Sequence, residues 1–274
     1  MKYFKGGLSY LGMLALAIFM IAPFLWMVLV SLHPDKSPIP TLSDIVPKAP
    51  AFSNYGKVLF DPNIPVARFF FNTVFVTLAV VFGQLFVSSL AAYGFARFTF
   101  KGREAVFALF LASMMFAGPV TQIPVFLIVK SFGWLDTYAA LIVPGLSSAF
   151  NIFLLRQAFL AIPKELDEAA KLDGAGYFRI YSRVLLPLAK PSLATAAAFT
   201  FFGCWTDFFW PLISTNSTEM RTLEVGLSIF KNSYGGTNWP LQMTAAVIVM
   251  LPLLVVFLFC QRYFVRGVML GSIK

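Results

Sequence analysis

The sequence predicts an all-α integral membrane protein with six transmembrane helices in one membrane domain, and three observations carry that prediction. Of the 274 residues, 59% are hydrophobic and 12% charged, whereas soluble domains carry about 45–50% apolar and about 25% charged residues. Charge-free stretches recur at the length of a bilayer crossing, about 20 residues for a hydrocarbon core about 30 Å thick. Lysine and arginine collect in alternate connections between those stretches.

The first predicted span, 8–32, follows Lys2 and Lys5. Its apolar run exceeds the roughly 7–15 residues of a cleavable signal region, and no small-x-small pattern follows Leu32, so it reads as a retained helix. The second, third and fourth spans, 69–96, 105–129 and 137–155, contain no charge. After a long connection at 156–190, the fifth span, 191–213, is interrupted only by Asp207. The sixth, 240–261, leads into a basic tail at 262–274.

With the N-terminus inside, the cytoplasmic pieces hold 14 of the 21 Lys and Arg residues and 5 of the 12 acids, so the net charge of +9 falls on the inner face. Both termini are then cytoplasmic. The basic balance follows from topology, and nucleic acid is not an expected partner.

Several chemistries are excluded. One histidine, His33, and two cysteines, Cys204 and Cys260, supply neither a ligand set for zinc or iron nor a disulfide framework. A P-loop needs Gly, four residues, then Gly-Lys-Ser/Thr. Here the one Gly-Lys pair, Gly56-Lys57, is followed by Val58 and has Ala51 in the first glycine's place. If ATP drives this protein, other subunits bind it together with magnesium. Ion-coupled carriers place ionisable groups within their spans, and the one candidate is Asp207. Its neighbours Trp205, Phe208, Phe209 and Trp210 are those of an interfacial residue.

The 156–190 loop holds ten of the 33 charged residues yet reads as two short helices. Pro163 suits a first helical position, and Glu165, Asp167 and Glu168 fall in the early turns, where the helix dipole favours acids. Gly174 suits the left-handed residue that ends a helix. Asp173 is placed to cap a second helix, expected over about 176–185 and ending before Pro187. At 100° per residue, Leu166, Ala169, Ala170 and Leu172 share one arc of the first helix. Lys164, Asp167, Glu168 and Lys171 share the other.

The run Glu168-Ala169-Ala170, three residues, Gly174, nine residues, then Val184-Leu185-Leu186-Pro187 resembles the Glu-Ala-Ala loop of importer-type ABC permeases, with Val184 where Ile is usual. Phe153-Leu154-Leu155-Arg156-Gln157, Pro163-Lys164-Glu165-Leu166, Trp210-Pro211-Leu212 and Gln261-Arg262-Tyr263-Phe264-Val265-Arg266-Gly267 are similar to the maltose-type carbohydrate permeases, and within these to the shorter, six-span subunit. Two positions depart from the pattern. Thr206-Asp207 replaces Asn-Asp or Asn-Glu, and Ser272-Ile273-Lys274 lacks a final glycine.

The resemblance implies the importer-type ABC permease (MetI-like) fold, in a heterodimer with a second permease, two ATP-binding subunits and an extracytoplasmic solute-binding protein. It also implies that the loop is a coupling helix seated on an ATP-binding subunit. Glu168 would pair with a basic residue there, Ala169 and Ala170 would permit close seating, Gly174 would make the bend, and Asp173, Leu186 and Pro187 would complete the motif. Arg262, Arg266 and Gly267 would reach the ATP-binding subunits or meet anionic lipid headgroups. The implied solute is a sugar, oligosaccharide or glycerol-phosphate ester. Asn151, Trp205 and Asp207 are candidate pathway or gate residues. Asn72, Gln84, Gln122 and Asn151, with many aromatics, would suit a sugar path or join helices to one another. The chain itself is expected to be non-catalytic. The alternative is an ion-coupled carrier acting alone, in which Asp207 or another ionisable group titrates during transport. A membrane enzyme would need convergent catalytic side chains, and none is apparent.

Overall fold

Every regular element described in the computed structural model is helical. The description covers residues 2–41, 43–62, 64–116, 118–233 and 238–269, without the side chains of 2–9, 119, 229–233 and 262–269. Among these residues three helices are long and apolar enough to cross a membrane: Tyr10–Ser31, Val66–Arg97 and Trp239–Gln261. Two bent pairs raise the number to five if each counts as one span, Tyr138–Leu146 with Ala149–Ala161 at 41° and Tyr177–Leu188 with Lys190–Trp205 at 79°.

The middle of the chain therefore departs from the expected continuous spans. The stretch 105–129 is two helices, α4 (Arg103–Ser113) and α5 (Gly118–Ser131), separated by turns ahead of Gly118-Pro119. The stretch 137–155 is also divided. Helix α6 (Tyr138–Ile142) passes into a 3-10 turn at Val143–Leu146, and α7 starts anew at Ala149–Ala161, six residues beyond the expected end. Thr137 caps α6 by accepting the Ala140 N–H, and Ser148 caps α7 by accepting that of Asn151. The stretch 191–213 breaks between α11 (Lys190–Trp205) and α12 (Phe209–Ser214), where Asp207 accepts the Trp210 N–H at 3.3 Å.

The chain divides into two units, 1–69 with 223–252 and 70–222 with 253–274. In the first, α1 (Lys2–Ser31) ends against α2 (Ser53–Leu59) and α14 (Trp239–Met269). The buried Asn54 amide donates to the Ser31 and His33 carbonyls, each at 2.8 Å, satisfying groups that the end of α1 leaves free. Thr244 of α14 donates to the same Ser31 carbonyl. Asp35 accepts from Asn238 at 2.6 Å and pairs with Lys57 at 2.9 Å, and these partners hold its carboxyl below the ordinary range. Gly226, on α13 (Leu223–Ser233), is needed where the buried Phe69 ring approaches, since a β-carbon there would collide with it.

In the second unit the C-terminal part of α3 (Val66–Arg97) packs against α7 and against the segment from α9 (Tyr177–Ile180) to α10 (Leu186–Leu188). Their shared core is Ala92, Tyr93, Ala96, Leu155, Phe159, Ile180, Tyr181 and Leu185. The expected helix at 176–185 in fact runs to Leu188, past Pro187. The intervening turn, Tyr181–Leu185, is π-helical, with the Leu186 N–H bonded to the Tyr181 carbonyl. That wider turn lets the helix continue to a residue that would clash with, and withhold an N–H from, a regular α-helical ladder.

Asp136, which has φ +62°, ties the loop before α6 to the end of α12. Its N–H donates to the Ser214 carbonyl, and its carboxylate accepts the N–H groups of Asn216 at 2.9 Å and Ser217 at 3.0 Å and the Ser217 hydroxyl at 3.0 Å. Burial pushes its pKa up, but these hydrogen bonds and the nearby Arg221 bring it below the ordinary value. A carboxyl so depressed stabilises the fold above its unfolded-state pKa of about 3.9 and stops doing so as pH falls through the folded-state value. Asp136→Asn is expected to cost about 1 kcal/mol near neutral pH. The gap between its unfolding midpoint and that of the parent should narrow on acidification below about pH 4.

Candidate functional site

Helix α8 (Glu165–Leu172) lies in the second unit, within the 156–190 loop. Its first turn opens on the Lys164 carbonyl, which accepts from Asp167 and Glu168, so Pro163 precedes the helix instead of occupying its first position. It ends as expected at Gly174, φ +77°, with the Ala175 N–H bonded to the Ala170 carbonyl and the Gly174 N–H to that of Lys171. This double closure is a Schellman motif. Asp173 is the last residue of that turn and does not cap α9, whose start at Gly176 has no side-chain cap. No atom lies within 4 Å of where a Gly174 β-carbon would sit. Gly174→Ala is therefore expected to cost about 1–2 kcal/mol through backbone strain alone, read as a lower unfolding midpoint with unchanged expression.

The orientation of α8 departs from its amphipathic pattern at several positions, while Lys164, Glu168 and Lys171 stay exposed as the pattern implies. Asp167, from the polar arc, is buried, whereas Leu166 and Leu172, from the apolar arc, are 43% and 91% exposed. Ala169 and Glu168 are exposed, while Ala170 packs against the chain's own core. A buried ion pair holds Asp167 inward: Arg97 Nε, at the last residue of α3, lies 2.7 Å from Asp167 Oδ2. Arg97 Nη2 also donates to the Ile162 carbonyl at 2.9 Å, so one guanidinium holds both the entry to the loop and its first helix. Beside it, Arg156 of α7 is 9% exposed, donates to both Glu104 carboxylate oxygens at 3.0 and 3.1 Å, and stands over the Phe107 ring at 4.1 Å. Leu186 and Pro187 lie at the end of the π-turn, where Leu186 packs against the same core as Ala170. The side chains of Arg262, Arg266 and Gly267 lie outside the described residues, as do 270–274.

A cavity of about 430 Å³ occupies the second unit, within the range of small-molecule sites, about 300–1,000 Å³. Its polar wall is Gln84 of α3, Gln122 of α5, Ser148 and Asn151 at the start of α7, Thr200 of α11, and Asp207. Phe150, Phe199 and Trp210 supply aromatic surface. Both helix breaks, after Leu146 and after Trp205, open onto it. In a membrane, irregular backbone is tolerated where it is buried in protein or lines a cavity. Asn151 donates to Gln84 Oε1 at 2.7 Å and to Thr200 Oγ1 at 2.8 Å, Thr200 donates to the same Gln84 oxygen, and Gln84 donates to the Gly145 carbonyl at 2.6 Å. Gly83 and Gly145 allow that approach, because a β-carbon on the first would collide with Leu146 and one on the second would lie 3.0 Å from Val80.

Of the three candidate pathway residues, Asn151 and Asp207 line this cavity and Trp205 does not. Trp205 is 2% exposed, stacked on Phe201 and edge-on to Phe70. Asn72 joins helices, donating to the Glu219 and Arg221 carbonyls and accepting from Tyr138. The Arg97–Asp167 clamp carries no sequence motif, and an acid placed three residues after a lysine gave no sign of turning inward.

Comparison with known proteins places the chain. The family described as binding-protein-dependent transport system inner membrane component matches residues 3–270. The chain belongs to this family. It is 36% identical over 231 residues to the arabinooligosaccharides transport system permease protein AraQ of Bacillus subtilis (strain 168), covering 84% of this chain and 82% of the relative. It is 32% identical to the trehalose/maltose transport system permease protein MalG of Thermococcus litoralis, over 97% and 96% of the two chains. A chain in the crystal structure of a bacterial ABC transporter that imports the acidic polysaccharide alginate superposes with a TM-score of 0.84 at 25% identity, covering 96% of this permease and 97% of that chain. The permease fold expected from the Glu-Ala-Ala loop is thus the one observed.

Proposed function

We propose that this permease is the transmembrane subunit of an ATP-driven sugar importer of the inner membrane. It spans the membrane six times with both termini cytoplasmic and forms the translocation path with a second permease. An extracytoplasmic protein delivers the solute, and two partner subunits bind ATP and magnesium. The relatives' named solutes, arabinooligosaccharides and trehalose or maltose, support a carbohydrate cargo.

The observation that carries the coupling role is the apolar surface that α8 leaves exposed. A helix held from behind by Arg97 presents Leu166, Ala169 and Leu172 outward. Apolar side chains gathered on an exposed helix face mark a surface meant to be covered. Glu168 sits beside them to pair with a basic group of the ATP-binding subunit, and Gly174 closes the helix so that the following residues turn back to the core. The 79° bend at Ala189 sets the segment after α8 across α11, so a displacement of the loop acts on α11 as a lever. Purification of the tagged chain from mild detergent tests the proposal. Recovery with a second permease and two ATP-binding subunits, with ATPase activity stimulated by a sugar-loaded binding protein, is expected. A lone chain that transports in liposomes without ATP would overturn it.

A further inference from the structure

We infer that the cavity between α3, α5, α7 and α11 is a subsite for an uncharged, hydroxyl-bearing solute, and that this chain contributes to selection against acidic sugars and phosphate esters. The inference rests on the importer reading and narrows its cargo. Among the described residues no lysine or arginine lines the cavity, and its one ionisable acid is Asp207. A phosphate or uronate entering there would exchange its hydration shell for amides and hydroxyls, with a carboxyl group nearby and no cation to compensate.

The same wall suits hydroxyl groups. The Asn151 side chain is 2% exposed, and its Oδ1 is buried without a hydrogen-bond partner; Gln122 Oε1 is likewise buried and unpartnered. Asn151 spends its donor group on Gln84 and Thr200, so what it retains is acceptor capacity. An unpaired buried acceptor is costly, and a ligand O–H is the group that relieves it. Phosphate oxygens and carboxylates offer no such proton. Phe150, Phe199 and Trp210 provide faces for the C–H surface of a ring.

Cys204, which lines the cavity, is a built-in probe. In the assembled transporter carrying Cys260→Ser, the rate of Cys204 alkylation by N-ethylmaleimide is measured without binding protein. Maltose, digalacturonate and glycerol 3-phosphate are compared at equal ionic strength, and ATP-driven uptake is measured on the same preparation. Maltose is expected to slow alkylation in proportion to occupancy, roughly tenfold at about ten times its dissociation constant, while the two anions leave it unchanged. Asn151→Leu is expected to raise the half-protecting maltose concentration roughly tenfold. Gln122→Leu, outside the Gln84–Asn151–Thr200 network, should shift it in the same direction should Asn151→Leu fail to assemble. Uptake with equal or stronger protection by the anions, or with no protection by maltose, overturns the inference. Protection by maltose without ATP-driven uptake of any solute supports the subsite and overturns the importer reading instead.

Discussion

Truncating Arg97 to alanine is expected to destabilise the second unit by about 3–5 kcal/mol, the cost of leaving a buried charge without its partner. The Arg97 and Asp167 side chains are 5% and 11% exposed, and the guanidinium is also the donor to the Ile162 carbonyl, so its loss frees the start of the loop and strands the Asp167 carboxylate. The pair is a close charge contact more than a directed hydrogen bond. Arg97 Nη1 and Asp167 Oδ1 have no hydrogen-bond partner. Replacing both residues by apolar ones of similar volume, Arg97→Met with Asp167→Leu, should therefore recover most of the lost stability. The unfolding midpoints of the two single variants and the double variant in detergent form the cycle that tests this. Additive losses would refute the pairing.

Ala169→Arg is expected to lower ATP-driven uptake roughly tenfold or more, as the loss of a few kcal/mol at a packed contact implies. Because Ala169 is exposed, the variant should unfold within about 0.5 kcal/mol of the parent. The check is the amount of ATP-binding subunit that copurifies, alongside uptake. Ala170→Arg should also abolish uptake, but by a different route, since that side chain packs on the Leu155–Ile180–Leu185 core and its replacement lowers the chain's own stability. Glu168→Gln is expected to cost about 0–1 kcal/mol of association if its partner leaves it solvated. The cost rises to about 2–5 kcal/mol if docking buries the pair. Full uptake by Ala169→Arg would remove α8 from the coupling path.

Much of this architecture is written in local pattern. The long apolar runs at 8–32, 69–96 and 240–261 coincide with continuous helices because nothing within them offers the backbone a better arrangement than its own ladder. Gly174 ends α8 where the spacing of the Glu-Ala-Ala motif requires, because a left-handed residue is a local property and glycine adopts it without strain. The broken helices were less legible. Apolar composition makes 105–129 and 191–213 look continuous, although in the second the break is marked locally by Asp207, whose carboxylate accepts the Trp210 N–H three residues on.

Composition and charge spacing by themselves determined that this chain is a polytopic membrane protein, since each is a count or an interval along the chain, and the resemblance of one short motif to a known family added the expectation of a permease. Tertiary structure alone decided which face of α8 is presented, that Asn151 and Asp207 share a cavity while Trp205 is packed away, and that Gln84 and Thr200 complete the wall. The physical reason is distance in sequence. Arg97 meets Asp167 across 70 residues and Gln84 meets Thr200 across 116, and burial of a charge or an amide depends on the partner that arrives, not on the residues beside it.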